Sequence, residues 1–87
     1  MRIFKYEIPV SSNVEVVMPR GAKVLKVDNQ RGQICLWALV NTDQPPEKRY
    51  LTVVGTGREI HLLSTLTYLD TVVVEPFVWH VFERNPL

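Results

Sequence analysis

Cysteine is nearly absent: Cys35 is the only one in the chain. No intrachain disulfide can form, so packing alone must hold the fold, which suits a reducing compartment. A surplus of one charge is also missing. Ten Lys and Arg stand against nine Asp and Glu, for a net charge of +1. Proteins of duplex nucleic acid draw much of their affinity from phosphate neutralisation and usually carry a basic surplus. The balance here argues against duplex binding. Long apolar runs are lacking too. The longest, residues 34–40, falls far short of the ~20 residues that cross a bilayer, so no membrane association is expected. The opening Met1-Arg2-Ile3-Phe4-Lys5-Tyr6-Glu7 alternates charged and apolar residues, which reads as a strand and not as a signal peptide. The expected location is cytoplasmic.

Histidine is scarce. His61 and His80 are the only two, and with one Cys they do not reach the ligand set of a zinc site. No metal site and no cofactor are expected. The acidic residues are scattered singly, so no paired-carboxylate site is suggested. Ser64 or Thr65 near His61, with Asp70, can be drawn as a nucleophile, base and orienting group, but nothing in the spacing demands it. No catalytic residue is assigned, and the expected protein is not an enzyme. Helical periodicity, internal repeats, linkers and low-complexity segments are absent.

What the sequence does have is a β rhythm. Short runs of apolar β-formers, at residues 3–10, 14–18, 24–27, 34–40, 50–54, 66–74 and 77–82, are separated by Pro, Gly and polar clusters. The first run alternates, with Phe4, Tyr6 and Ile8 on one side and Ile3, Lys5 and Glu7 on the other. Pro9 cannot donate to a ladder, so this strand ends there or lies at an edge. Pro19-Arg20-Gly21-Ala22 predicts a tight turn. Leu25 and Val27 are expected to face inward, with Lys26 and Asp28 outward. Asn29-Gln30-Arg31-Gly32 predicts a hairpin turn.

Residues 34–40 are apolar on both faces, which predicts the central strand, covered on both sides, with Trp37 as a main packing residue. Residues 42–49, with Pro45-Pro46 and several charges, read as a mobile surface loop. Gly55-Thr56-Gly57 stops a strand, and one short helical turn fits within residues 58–65. In 66–74, Tyr68, Val72 and Val74 share a parity with Asp70, whose charge suggests a bulge or register change. Glu75-Pro76 forces a turn. Seven short strands with no room for crossover helices predict an all-β single domain, residues 1–87: a compact antiparallel sandwich or small barrel of about six to seven short strands.

The candidate ligand loop is Gly55-Thr56-Gly57 with Arg58. Amides beside glycines can form an anion nest, and an Arg adds a phosphate fork; a plain structural turn is the rival reading. Phe4, Lys5 and Tyr6 with Trp37, Tyr50 and Tyr68 also suit a stacking platform for single strands, although such aromatics serve equally as a core face.

Five blocks run in order along the chain: Phe4-Lys5-Tyr6-Glu7, Met18-Pro19-Arg20-Gly21-Ala22, Cys35-Leu36-Trp37-Ala38-Leu39-Val40, Gly55-Thr56-Gly57, and Phe77-Val78-Trp79-His80-Val81-Phe82-Glu83. On these blocks, about a third of the residues, the chain resembles a family of small, mostly unassigned proteins of tailed-phage and prophage genomes. The resemblance implies a phage accessory product acting in the host bacterial cytoplasm. It supplies no catalytic residue.

Three functions are consistent with this reading. The first is a counter-defence or host-takeover factor that binds and blocks a host bacterial protein through a sheet edge or the loops 29–32, 42–49 and 55–61. Unpaired edges recruit other chains and make a homodimer plausible as well. The second is a binder that sequesters a signalling nucleotide, with Arg20, Arg49 and Arg58 on phosphates and Trp37, Tyr68 or Tyr50 stacked on bases. The third is a virion or assembly component.

Overall fold

The apolar runs become seven strands: β1 (Arg2–Glu7), β2 (Val14–Pro19), β3 (Lys23–Gln30), β4 (Gln33–Val40), β5 (Pro46–Gly55), β6 (Leu66–Val74) and β7 (Phe77–Arg84). A computed structural model describes residues 1–61 and 63–86. The described residues contain no α-helix, only a 3₁₀ turn at Leu63–Thr65. The expected helical turn within 58–65 is met by that segment; Leu62 lies outside the described residues.

The strands pair into two antiparallel sheets, one of order β1-β4-β3 and one of order β2-β5-β7-β6. The choice between sandwich and barrel is therefore settled as a sandwich. The inner face of the smaller sheet carries Ile34, Leu36, Ala38 and Val40 with Ile8 and Val27. It packs on Val14, Val16, Met18, Leu51, Val53, Val72 and Val81 of the larger one. The thinnest dimension is 16 Å. Two sheets about 10 Å apart fill that thickness, and no third layer fits.

Local chemistry sets the turns. Arg31 and Gly32 both have positive φ, 55° and 84°, and Gln30 pairs with Gln33, which makes a two-residue hairpin loop of the twist that β-ribbons favour. At Gly21 φ is 79°, and Ala22 N–H closes the predicted turn on Pro19 C=O at 3.1 Å. Between β1 and β2 the chain changes sheet. Ile8 N–H still bonds Ile34 C=O, and Ser11 C=O already accepts from Val53 N–H, both at 2.9 Å. On the opposite margin the edges of β3 and β6 are tied by side chains. Asp70 Oδ2 accepts Val27 N–H at 3.2 Å, and Asn29 Nδ2 donates to Val73 C=O at 3.1 Å.

Four expectations need correction. β4 is the central strand of its sheet, but only its inner face is covered by the other sheet. Trp37 shares the outer face with Cys35 and Leu39 and is half-buried. Residues 42–49 are not all loop. From Pro46 onward they extend β5 and pair with β2, because β2 supplies a partner that sequence pattern alone does not reveal. A bulge between Val24 and Lys26 leaves Leu25 47% exposed, so Val24 and Val27 are the inward pair. The bulge expected near Asp70 is present, between Tyr68 and Asp70. It turns Tyr68 to the outer face, away from Asp70, Val72 and Val74.

Candidate functional site

The margins of the two sheets differ in how their backbone is used. One step beyond the last pair of the β1–β4 register, Glu7 with Cys35, Ile8 N–H donates to Ile34 C=O. Antiparallel pairs alternate, so the even residues Arg2, Phe4, Tyr6 and Ile8 bond to β4. The odd residues Ile3, Lys5 and Glu7 turn their N–H and C=O groups outward along a free edge. Ile3 is 61% exposed and Phe4 37% exposed. No proline interrupts β1 before Pro9, and its register with β4 has no bulge. The β3 edge is different, because Asp70 already occupies Val27 N–H. The alternation in Arg2–Glu7 marks a strand, but only the topology leaves β1 at an unpaired edge, as it leaves β2 in the larger sheet.

The outer face of the β1-β4-β3 sheet adjoins this edge. Its residues lie in cross-strand rows: Ile3, Leu39 and Lys23; then Lys5, Trp37 and Lys26; then Glu7, Cys35 and Asp28. Cys35 is buried although it points outward. It floors a depression of about 460 Å³ bounded by Lys5, Glu7, Gln30, Arg31 and Gln33. Its thiol behaves as a small hydrophobe in that setting. Lys5 Nζ reaches across to Gln30 Oε1 at 2.7 Å.

The residues singled out from sequence are dispersed. Arg20 is exposed in the β2–β3 turn, its N–H on Pro45 C=O at 2.8 Å. Arg58 follows the far end of β5. A ten-residue strand separates the two regions, roughly 30 Å at 3.3 Å per residue. Arg49 is turned into the sandwich. Its Nε meets Glu83 Oε2 at 2.5 Å and its Nη2 meets Glu83 Oε1 at 2.8 Å, and Nη1 donates to Ala22 C=O. The Glu83 hydrogen bond and charge raise the Arg49 pKa against the opposing effect of burial. Trp37 and Tyr68 lie on opposite outer faces of the molecule. The three arginines and two rings therefore do not form one nucleotide site.

Gly55-Thr56-Gly57 has a structural task at each position. A Cβ at Gly55 would lie 3.2 Å from Trp79 Cζ3, its cross-strand partner in the ladder. Thr56 Oγ1 lies 2.7 Å from His80 Nε2. Gly57 has φ 90°, a region that disfavours side chains. Arg58 N–H returns to Gly55 C=O at 3.2 Å. The other ring nitrogen, His80 Nδ1, is 3.0 Å from Thr71 Oγ1, which is 2.6 Å from Tyr68 OH. This hydroxyl–imidazole–hydroxyl chain knits the turn to β6 and β7. Tyr68 also meets Phe82 edge-on at 5.6 Å.

A second cleft, of about 380 Å³, lies between the larger sheet and the segment after β5, near Thr52, Glu59, His61 and Arg84. Arg84 Nη2 is engaged with Ser12 C=O at 2.9 Å. Glu59 and His61 form an exposed pair at 3.4 Å. Among the described residues, no group of three or more His, Cys, Asp or Glu is placed to hold a metal, and no helix is long and apolar enough to cross a membrane.

With this geometry in view, the comparison with known families is decisive on one point. The family model of a domain of unknown function, DUF7352, matches residues 1–87. The chain belongs to the DUF7352 family. No curated protein and no solved structure matches it.

Proposed function

We propose that the chain is a non-enzymatic binding protein, a small phage accessory product that binds and blocks a host bacterial protein. The observation that carries this reading is the asymmetry of the sheet margins. The β3 and β6 edges are tied by Asp70 and Asn29. The β1 edge offers the N–H and C=O of Ile3, Lys5 and Glu7 beside the exposed side chains of Ile3 and Phe4. An extended segment of a partner adds to such an edge as a further strand. Main-chain bonds supply affinity, and alternate side chains supply specificity. The phage context and the host cytoplasm belong to the same proposal and rest on the sequence resemblance. The nucleotide-sequestering alternative draws no support from the fold, because Arg20, Arg49 and Arg58 do not converge.

The test has two steps. A bacterial protein that co-purifies stoichiometrically is identified, purified and titrated against the chain by calorimetry. Ile3→Pro is then compared. Residue 3 turns its N–H outward, so proline removes no internal ladder bond, and circular dichroism checks the fold. The expected result is a loss of at least about tenfold in affinity, the worth of one well-placed hydrogen bond. Unchanged affinity in folded Ile3→Pro, or no bacterial protein binding at stoichiometry, overturns the reading.

A further inference from the structure

The outer face of the β1-β4-β3 sheet is complementary to itself in charge. One row is Lys5, Trp37, Lys26; the next is Glu7, Cys35, Asp28. The first has two cations flanking a large ring. The second has two anions flanking Cys35, which floors the depression bounded by Lys5, Glu7, Gln30, Arg31 and Gln33. A two-fold axis lying across the strands, midway between these rows, brings each row of one copy over the other row of its mate. Lys5 then faces Glu7, Lys26 faces Asp28, and the Trp37 ring stands over the Cys35 depression. The next rows out place Leu39 over Gln33 and Lys23 over Gln30, while Arg31 lies in the turn beyond them. No like-charged pair is opposed.

We infer that two copies of this chain stack face to face through the outer surface of the three-stranded sheet, with Trp37 of each copy seated over Cys35 of the other. This goes beyond the proposed function and leaves the β1 edges of both copies free. Symmetry of this kind makes one surface sufficient for closure. Stacked sheets with near-aligned strands are an ordinary packing mode. Two competing interactions give way. Lys26 Nζ lies 3.7 Å from Asp28 Oδ2 within one chain, but both side chains are largely solvated and the pair contributes little. The exposed bond from Lys5 to Gln30 crosses the depression and opens as the ring enters.

The face measures roughly 14 by 25 Å from strand spacing and rise. Corrugated by side chains, it buries on the order of 1,000 Å² in total, at the low end for specific association. An interface of this size belongs to the weak, reversible class, and its charge pairs make it sensitive to salt.

Sedimentation equilibrium at low and high salt tests this with three proteins. The wild-type chain is expected to dimerise reversibly and to weaken as salt rises. Lys5→Glu/Lys26→Glu and Glu7→Lys/Asp28→Lys should each be monomeric alone, with unchanged circular dichroism. Mixed in equal amounts they should dimerise again, because opposite charges then meet in both rows. That recovery also shows that neither variant has lost its fold. A wild-type chain that stays monomeric at low salt, a dimer that persists in either variant alone, or a mixture that stays monomeric each overturns the inference. Loss of host-protein binding in Ile3→Pro is a separate outcome, since residue 3 lies outside the two central rows.

Discussion

Asp70 Oδ2 accepts the backbone N–H of Val27 at 3.2 Å across the gap between the two sheets. A side chain from β6 thereby takes the place of a missing neighbour strand at the β3 edge. The bulge between Tyr68 and Asp70 makes this possible, because it moves the carboxylate to the face shared with Val72 and Val74. An unpaired buried donor is costly, so the bond both stabilises the margin and blunts an edge.

Asp70→Ala is expected to lower stability by about 1–3 kcal/mol, the penalty of leaving one partly buried donor unsatisfied. Urea denaturation measures the loss. Native-state hydrogen exchange should show the Val27 amide opening faster, with little change at the amides of β2. Equal exchange at Val27 in both proteins refutes this role for Asp70.

Arg49 and Glu83 form a two-point ion pair with only 16% and 18% side-chain exposure. Arg49→Met leaves the Glu83 charge without its partner and Ala22 C=O without a donor. The expected cost is about 3–5 kcal/mol, as for other mostly buried pairs broken on one side. The double variant Arg49→Met/Glu83→Leu should recover a large part of it. A double-mutant cycle from denaturation midpoints decides the coupling.

Burial pushes the Tyr6 phenol above its ordinary value of 10.0, and the charge of Arg49 pulls it back. A phenol that holds its proton more tightly in the folded chain favours the fold while protonated. That contribution is fully present below about pH 10, the unfolded value, and is lost as pH rises through the folded value. The stability of the wild type should therefore fall more steeply above pH ~10 than that of Tyr6→Phe. Arg49→Met should move the Tyr6 titration further up. Ultraviolet difference titration and denaturation at several alkaline pH values check both. Parallel pH profiles for wild type and Tyr6→Phe exclude the effect.

Leu36 and Trp37 are neighbours in sequence on opposite faces of β4. Leu36 is 0% exposed, and Leu36→Ala should cost about 2–5 kcal/mol through lost burial and a cavity. That is a large share of a total of about 5–15 kcal/mol. Trp37 faces outward, so Trp37→Ala should cost less than half as much in monomer stability while weakening self-association. Thermal melts of dilute samples separate the two effects. A larger loss for Trp37→Ala than for Leu36→Ala contradicts the assignment of faces.

The strands were legible because period-two alternation and turn chemistry are local. Gly21 and the Arg31-Gly32 pair adopt the positive φ that their turns require, and Leu66–Val74 is a strand throughout. Residues 46–49 were misread because Pro and charge usually mark loops. Here they continue an edge-proximal strand, and Arg49 points inward because Glu83 waits there. The parity of Tyr68 was misread because one bulged residue reverses the face of everything before it. The candidate loop Gly55-Thr56-Gly57 was visible as a motif. Its tasks were not, since Trp79 and His80 reach it only through the β5–β7 ladder.

Alternation, turn residues and the lack of helical periodicity determined by themselves an all-β chain with no room for crossover helices. The even charge and single cysteine ruled out a disulfide framework and argued against a duplex-binding surface. Tertiary structure alone decided which strands pair, which edges are closed, and which of two apolar faces of β4 is covered. Those features depend on contacts between residues far apart in the chain, such as Asp70 with Val27 and Arg49 with Glu83, and a local pattern carries no record of such distant partners. The rows Lys5–Trp37–Lys26 and Glu7–Cys35–Asp28 exist only once three strands lie side by side.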